Sequence, residues 1–272
     1  MIIERQRLII TFILNIIIII LAISTIIIEI VKIHNDPDSI YQTVWGLFRY
    51  FTIDGNILAL VFTIIISTKQ VQALRMIDGK SINNIIISQF LYTISLMSAC
   101  TDFVIFIVVV FIFLPMANYE WRMGLVGSYN ASSFHITIPI LLNIRFIFFD
   151  KRVRDFKWYE KLIGGVPMCI YGVIMLILCI AKVFTSFGEK HEDGDKSKDG
   201  KIPYPFFDVY HQHWLFCTII AIFIFVFGFG IGFLLDFLNK KFENLILPNE
   251  AVTNTNIEGE ENNFYNQIEE QP

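Results

Sequence analysis

With 272 residues, 55% of them hydrophobic and only 17% charged, and a mean hydropathy of +0.60, the chain is too apolar for a water-soluble domain and falls in the membrane class. Its net charge of −4 reflects two local acidic segments, the 186–201 loop and the C-terminal tail, and no basic excess points to nucleic acid. Cys100, Cys169, Cys179 and Cys217 lie in largely apolar runs without a CxxC or a His/Cys cluster, so they read as small hydrophobes rather than metal ligands, and neither metal nor cofactor is expected.

A helix needs about 20 apolar residues to cross the hydrocarbon layer. Six stretches qualify, at 8–31, 47–67, 87–114, 131–149, 162–184 and 214–238. The expected fold is an all-α integral membrane protein, a six-helix bundle over 1–241, followed by an acidic tail at 242–272 that reads as disordered. The first span is too long for a cleaved leader and lacks a small-residue cleavage site. Lysine and arginine concentrate at the amino terminus (Arg5, Arg7), in the second loop (Lys69, Arg75, Lys80), in the fourth (Lys151, Arg152, Arg154, Lys157, Lys161) and at Lys240 and Lys241. That bias predicts both termini inside a cell membrane. The isoleucine- and asparagine-rich usage suggests an AT-rich bacterial genome. Lipid is the expected environment, and the oligomeric state stays open.

Polar groups inside the spans are expensive and mark candidate function. In the second span Arg49, Thr52 and Asn56 fall at i, i+3 and i+7, on one helical face; Ser95, Ser98 and Asp102 repeat that spacing in the third. In the fourth, Pro139 follows four residues after His135. Lacking an N–H, it should free the His135 carbonyl and kink the helix there. With both termini inside, Thr52 and His135 each lie about four or five residues below the outer surface, roughly 7 Å deep. A hydroxyl and an imidazole at equal depth form a candidate nucleophile–base pair. Asp102 is expected to lie considerably deeper, as a relay group or a buried carboxyl. The ordinary readings compete: a transmembrane threonine bonds the carbonyl four residues back, Asn56 glues helices, and Arg49 and Arg145 snorkel from span ends.

Four segments then carry a resemblance. "YFTIDGN", "FHITIP", "VPMCIY" and "PYPFFDV", in that order over residues 5–240, resemble the six-span androgen-induced/ADTRP-like membrane proteins and their small bacterial relatives. The bacterial patterns there are roughly F-T-x-x-S-N, H-x-x-x-P, P-x-x-x-Y and Y-P-Y-x-F-x-D. Gly55 and Ile202 depart from them, and the charged insert at 188–202 lengthens the last outer loop. The resemblance implies an intramembrane threonine hydrolase of fatty-acid esters, with Thr52 and His135 catalytic and membrane lipid as substrate. Asn56, Arg49 and Asp102 are candidates for oxyanion or polar support, and Tyr204 and Asp208 for a cover over the site.

Other signals carry less. The 195–206 segment has Phe206 where a calcium loop needs glutamate. His211 and His213 diverge at i, i+2 and read, with Tyr210 and Trp214, as an interfacial belt. Gly228 and Gly232 form a GxxxG expected to pack helices closely. The rivals to a hydrolase are a proton-coupled or small-solute transporter using Asp102, and a membrane scaffold whose polar residues only join helices.

Overall fold

The computed structural model describes residues 2–35, 50–75, 89–116, 126–151, 154–180 and 214–246. Among the described residues there are helices and no strand. The main helices are α1 (Ile2–Asn35), α2 (Phe51–Arg75), α3 (Gln89–Ile107), α4 (Ile138–Phe149), α5 (Val166–Ile180) and α6 (Trp214–Ile246). Five stretches are long and apolar enough to cross a membrane: Gln6–Lys32, Phe51–Gln72, Gln89–Phe111, Tyr129–Phe149 and Glu160–Leu178. The protein is therefore a multi-pass, all-helical membrane protein.

Burial explains why α1 sits where it does. Leu8, Thr11, Asn15, Ile18, Ala22, Thr25 and Glu29 are buried, whereas Ile9, Ile13, Ile16, Ile20, Ile23 and Ile27 are exposed. The buried stripe steps by three and four residues, the spacing of one helical face. It carries small and polar side chains inward and isoleucine outward, as expected where lipid is no less apolar than a core. Several hydroxyls are satisfied within their own helices: Thr11, Thr25, Ser67, Thr93 and Thr101 each donate to the carbonyl four residues back.

Two apolar clusters hold the bundle. Ile18, Ala22, Ile53, Phe134, Ile138 and Leu142 join α1, α2 and α4. Leu96, Cys100, Phe146, Phe156, Met168 and Leu235 join α3, α4 and α6 with the entry to α5. That entry is a 3-10 turn, Glu160–Gly165, where helices meet through glycines. A Cβ on Gly232 would strike the main-chain oxygen of Lys161, and one on Gly228 would strike Met168. The GxxxG does serve close packing, against this turn and the start of α5.

Two expectations about helix ends change. The helix expected to stop at 238 runs to Ile246, taking in the first residues assigned to the tail; Phe242 packs against Phe148 in a tilted ring pair with centroids 4.6 Å apart, which anchors the extra turn. The second change concerns proline. Two π-helical segments, Val108–Phe113 and Ser133–Thr137, lie just ahead of Pro115 and Pro139. In each, the residue before the proline gives its N–H to the carbonyl five residues back: Leu114 to Val109, Ile138 to Ser133. The wider turn absorbs a residue that cannot donate.

Candidate functional site

The π turn moves the orphaned carbonyl. In regular α geometry Pro139 would strand His135, as the sequence predicts. Here Ile138 N–H is given to Ser133, and the next residue, Pro139, has no N–H, so Phe134 is the carbonyl left without a main-chain donor. Asn56 on α2 supplies one: its Nδ2 donates to the Phe134 oxygen at 3.2 Å and to the Thr52 oxygen at 2.6 Å. Both amide hydrogens are thereby used.

That tie clamps the first turn of α2 onto the π segment. Ile53 and Phe134 share one apolar cluster, and Thr52 and His135 are their immediate chain neighbours. Thr52 is 9% exposed and is the second residue of α2, which opens at Phe51. His135 is half-buried. Ser128 caps the short turn Tyr129–Ser132 that leads into the π segment, accepting from Ala131 N–H at 3.4 Å. Asn130 within that turn is buried. Arg49, Tyr204, Asp208, the 186–201 insert, His211 and His213 lie outside the described residues.

Asp102 on α3 is placed relative to Thr52 by the contact at Gly55. A Cβ on Gly55 would stand 2.7 Å from Ile105 Cδ1 and 2.9 Å from Thr101 Cγ2, so α2 and α3 nearly touch there. Asn56, the next residue after Gly55, is therefore level with Asp102, the next after Thr101. Asp102 thus sits about one turn, roughly 6 Å, below Thr52. It is 0% exposed, and neither carboxylate oxygen has a hydrogen-bond partner.

Sequence reasoning missed a second polar cluster at the opposite end of the bundle. Arg145, expected to snorkel, is 0% exposed. Its Nη1 donates to Asn15 Oδ1 at 2.9 Å and Thr63 Oγ1 at 3.4 Å, its Nη2 donates to Ser95 Oγ at 2.5 Å, and its Nε lies 3.6 Å from Asp150 Oδ2. Ser95 Oγ in turn donates to Asp150, and Asn15 Nδ2 donates to Gln70 Oε1 at 2.9 Å. One guanidinium therefore joins α1, α2, α3 and the end of α4. Its fork of donors meets fixed acceptors on four elements, so the side chain has no reason to seek the interface.

Beside it, Asn239 on α6 donates to the carbonyls of Phe146 at 2.7 Å and Asp150 at 2.9 Å, satisfying the end of α4. Tyr92 OH donates to Asn239 Oδ1 at 2.9 Å, and Lys161 Nζ pairs with Asp236 at 2.9 Å. The lone signal in the sequence was the concentration of polar residues near the ends of apolar runs, which does not identify partners.

Cys100 is buried against Gly164, whereas Cys169 is half-buried, and both are free thiols. Among the described residues no group of three or more His, Cys, Asp or Glu is placed to hold a metal ion. Compared with known proteins, the chain matches no family model, no curated protein and no solved structure.

Proposed function

We propose that the Thr52 end of the bundle is an intramembrane site for hydrolysis of lipid esters, with Thr52 as nucleophile and His135 as base. The observation that carries this reading is the Asn56–Phe134 hydrogen bond of 3.2 Å, which holds the elements bearing the two residues at one level. In the proposed cycle His135 takes the Thr52 Oγ proton as Oγ adds to the ester carbonyl. The leaving alkoxide takes that proton as the acyl-threonine forms. His135 then deprotonates a water that attacks the acyl carbon, and the fatty acid leaves as Oγ regains its proton. The first turn of α2 carries the positive end of the helix dipole, which favours negative charge developing there. Threonine has few χ1 choices, which suits a fixed nucleophile.

The accompanying topology has α6 as a sixth crossing and both termini inside a cell membrane, so that Thr52 and His135 open toward the outer leaflet and its lipids. The excess of lysine and arginine in alternate loops supports it. The resemblance to the androgen-induced/ADTRP-like hydrolases names the same two residues.

The test is labelling of the purified protein with a lipophilic fluorophosphonate. Wild type should label, and Thr52→Ala and His135→Ala should not. Unchanged labelling of a folded Thr52→Ala variant refutes the reading. One observation favours a second function, cation-coupled transport: the buried, unpartnered carboxylate of Asp102. Uptake into proteoliposomes that is driven by an ion gradient and lost in Asp102→Asn would select it.

A further inference from the structure

Between the Asn56 tie and the Arg145 cluster runs a seam of oxygens. Seven residues separate Asn56 from Thr63 on α2, and seven separate Asp102 from Ser95 on α3. The helices are antiparallel, because Gly55 meets Thr101 and Ile105 at one end while Thr63 and Ser95 meet the same guanidinium at the other. Two turns of helix therefore register against two turns. Asn56 and Thr63 share a face of α2, and Ser95, Ser98 and Asp102 share a face of α3. Since Thr63 and Ser95 converge on Arg145, both faces open on one interior line.

On that line four oxygens have no hydrogen-bond partner: Asn56 Oδ1, Ser98 Oγ and both oxygens of Asp102. Their residues are at most 1% exposed. Arg145, within electrostatic range of Asp102, is already committed to Asp150, so an ionised Asp102 would leave the buried set with one negative charge to compensate. An isolated carboxylate in such a medium is costly, and buried charges are paired or coordinate a metal. The donors are a carboxylate, an amide oxygen and a hydroxyl, all hard oxygen ligands suited to a hard cation. A divalent ion would overcompensate the charge. A proton on Asp102 would also balance it, and its O–H could be donated to Asn56 Oδ1, so sodium and proton are the two occupants that the test below separates.

We propose that Asn56 Oδ1, Ser98 Oγ and the Asp102 carboxylate bind one sodium ion in the middle of the bundle. The site makes no use of the Thr52 hydroxyl, so fluorophosphonate labelling and sodium binding report on separate chemistry.

The test is thermal unfolding of the purified full-length protein in detergent, with NaCl replaced stepwise by choline chloride at constant ionic strength, together with direct binding of radioactive sodium. A ligand that binds only the folded state raises its stability by mass action. Tm should rise saturably with sodium and not with choline. Asp102→Asn, which keeps the shape and removes the charge, should abolish the sodium response, and Ser98→Ala should weaken half-saturation at least about threefold, since one hydroxyl ligand is lost. If Asp102→Asn does not fold, Ser98→Ala and radioactive sodium binding decide. Identical Tm in sodium and choline, a response unchanged in both variants, or a Tm that follows pH alone overturns the proposal. The last result would assign a protonated carboxyl instead.

Discussion

The side-chain amide of Asn56 on α2 donates to the main-chain oxygen of Phe134 at 3.2 Å, filling the place that Pro139 leaves without a donor. An amide and a proline 83 positions apart in the chain (139 − 56) are thus coupled through a single carbonyl.

Asn56→Ala should lower stability by about 1–3 kcal/mol, because a buried carbonyl loses its donor where no water replaces it. In a Pro139→Ala background the cost should shrink, since the substituted alanine brings back an N–H for that carbonyl. A double-mutant cycle on thermal or denaturant unfolding measures the coupling, expected at about 1 kcal/mol. Strict additivity would show that the two residues do not share the Phe134 oxygen.

Arg145→Met should cost about 3–5 kcal/mol, the usual penalty for removing one partner of a buried ion pair. It strands Asp150 and removes a donor from Asn15, Thr63 and Ser95. Arg145→Lys should not rescue, because an ammonium has no planar fork to reach acceptors on four elements. Folded yield by size exclusion and unfolding in detergent both read this. A snorkelling arginine would tolerate both changes.

Gly232→Ala and Gly230→Ala form a matched pair on one helix. A Cβ at 232 meets the Lys161 carbonyl, while a Cβ at 230 meets nothing within 4 Å. The first should destabilise by about 1–3 kcal/mol through overpacking. The second should be neutral or slightly stabilising, as alanine is the better helix former. Equal melting temperatures for the two would contradict the packing of α6 on the 3-10 turn.

Thr52→Ala should still fold, with a melting temperature lowered by no more than a few degrees, since only one small side chain is trimmed. Ester hydrolysis should vanish in that variant and survive in Thr52→Ser, which keeps the hydroxyl. His135→Ala should reduce turnover by about 10²–10⁴-fold, the range for a general base. Turnover by a folded Thr52→Ala protein equal to wild type would rule out the nucleophile.

The helical class and the five apolar spans were legible because hydrocarbon thickness sets a length that few soluble helices share. The face shared by Ser95, Ser98 and Asp102 was legible from i, i+3, i+7 spacing, and Ser95 does point into the bundle, at Arg145. Arg145 was not. It stands four residues from the end of α4, where an arginine ordinarily reaches the interface, and its acceptor Asn15 is 130 residues away. The Phe134 carbonyl was not singled out because spacing rules assume an α register, and the π turn at Ser133–Thr137 is a response to packing that the local sequence does not announce. The lateral register of α2 against α3, by contrast, is set by the Gly55 contact with Thr101 and Ile105, which no spacing rule reveals.

The Arg145 cluster also bears on how the chain is made. Three of its acceptors, Asn15, Thr63 and Ser95, precede the arginine in the chain, and Asp150 follows five residues later. A nascent chain threading into the bilayer from its amino end delivers neutral acceptors first, each tolerable in lipid as an isolated hairpin. The charge arrives last, when a receptacle already awaits it. An unpaired arginine within a lone helix is costly to insert; here the order of synthesis spares the membrane that burden and makes the fourth segment the one that locks the earlier three.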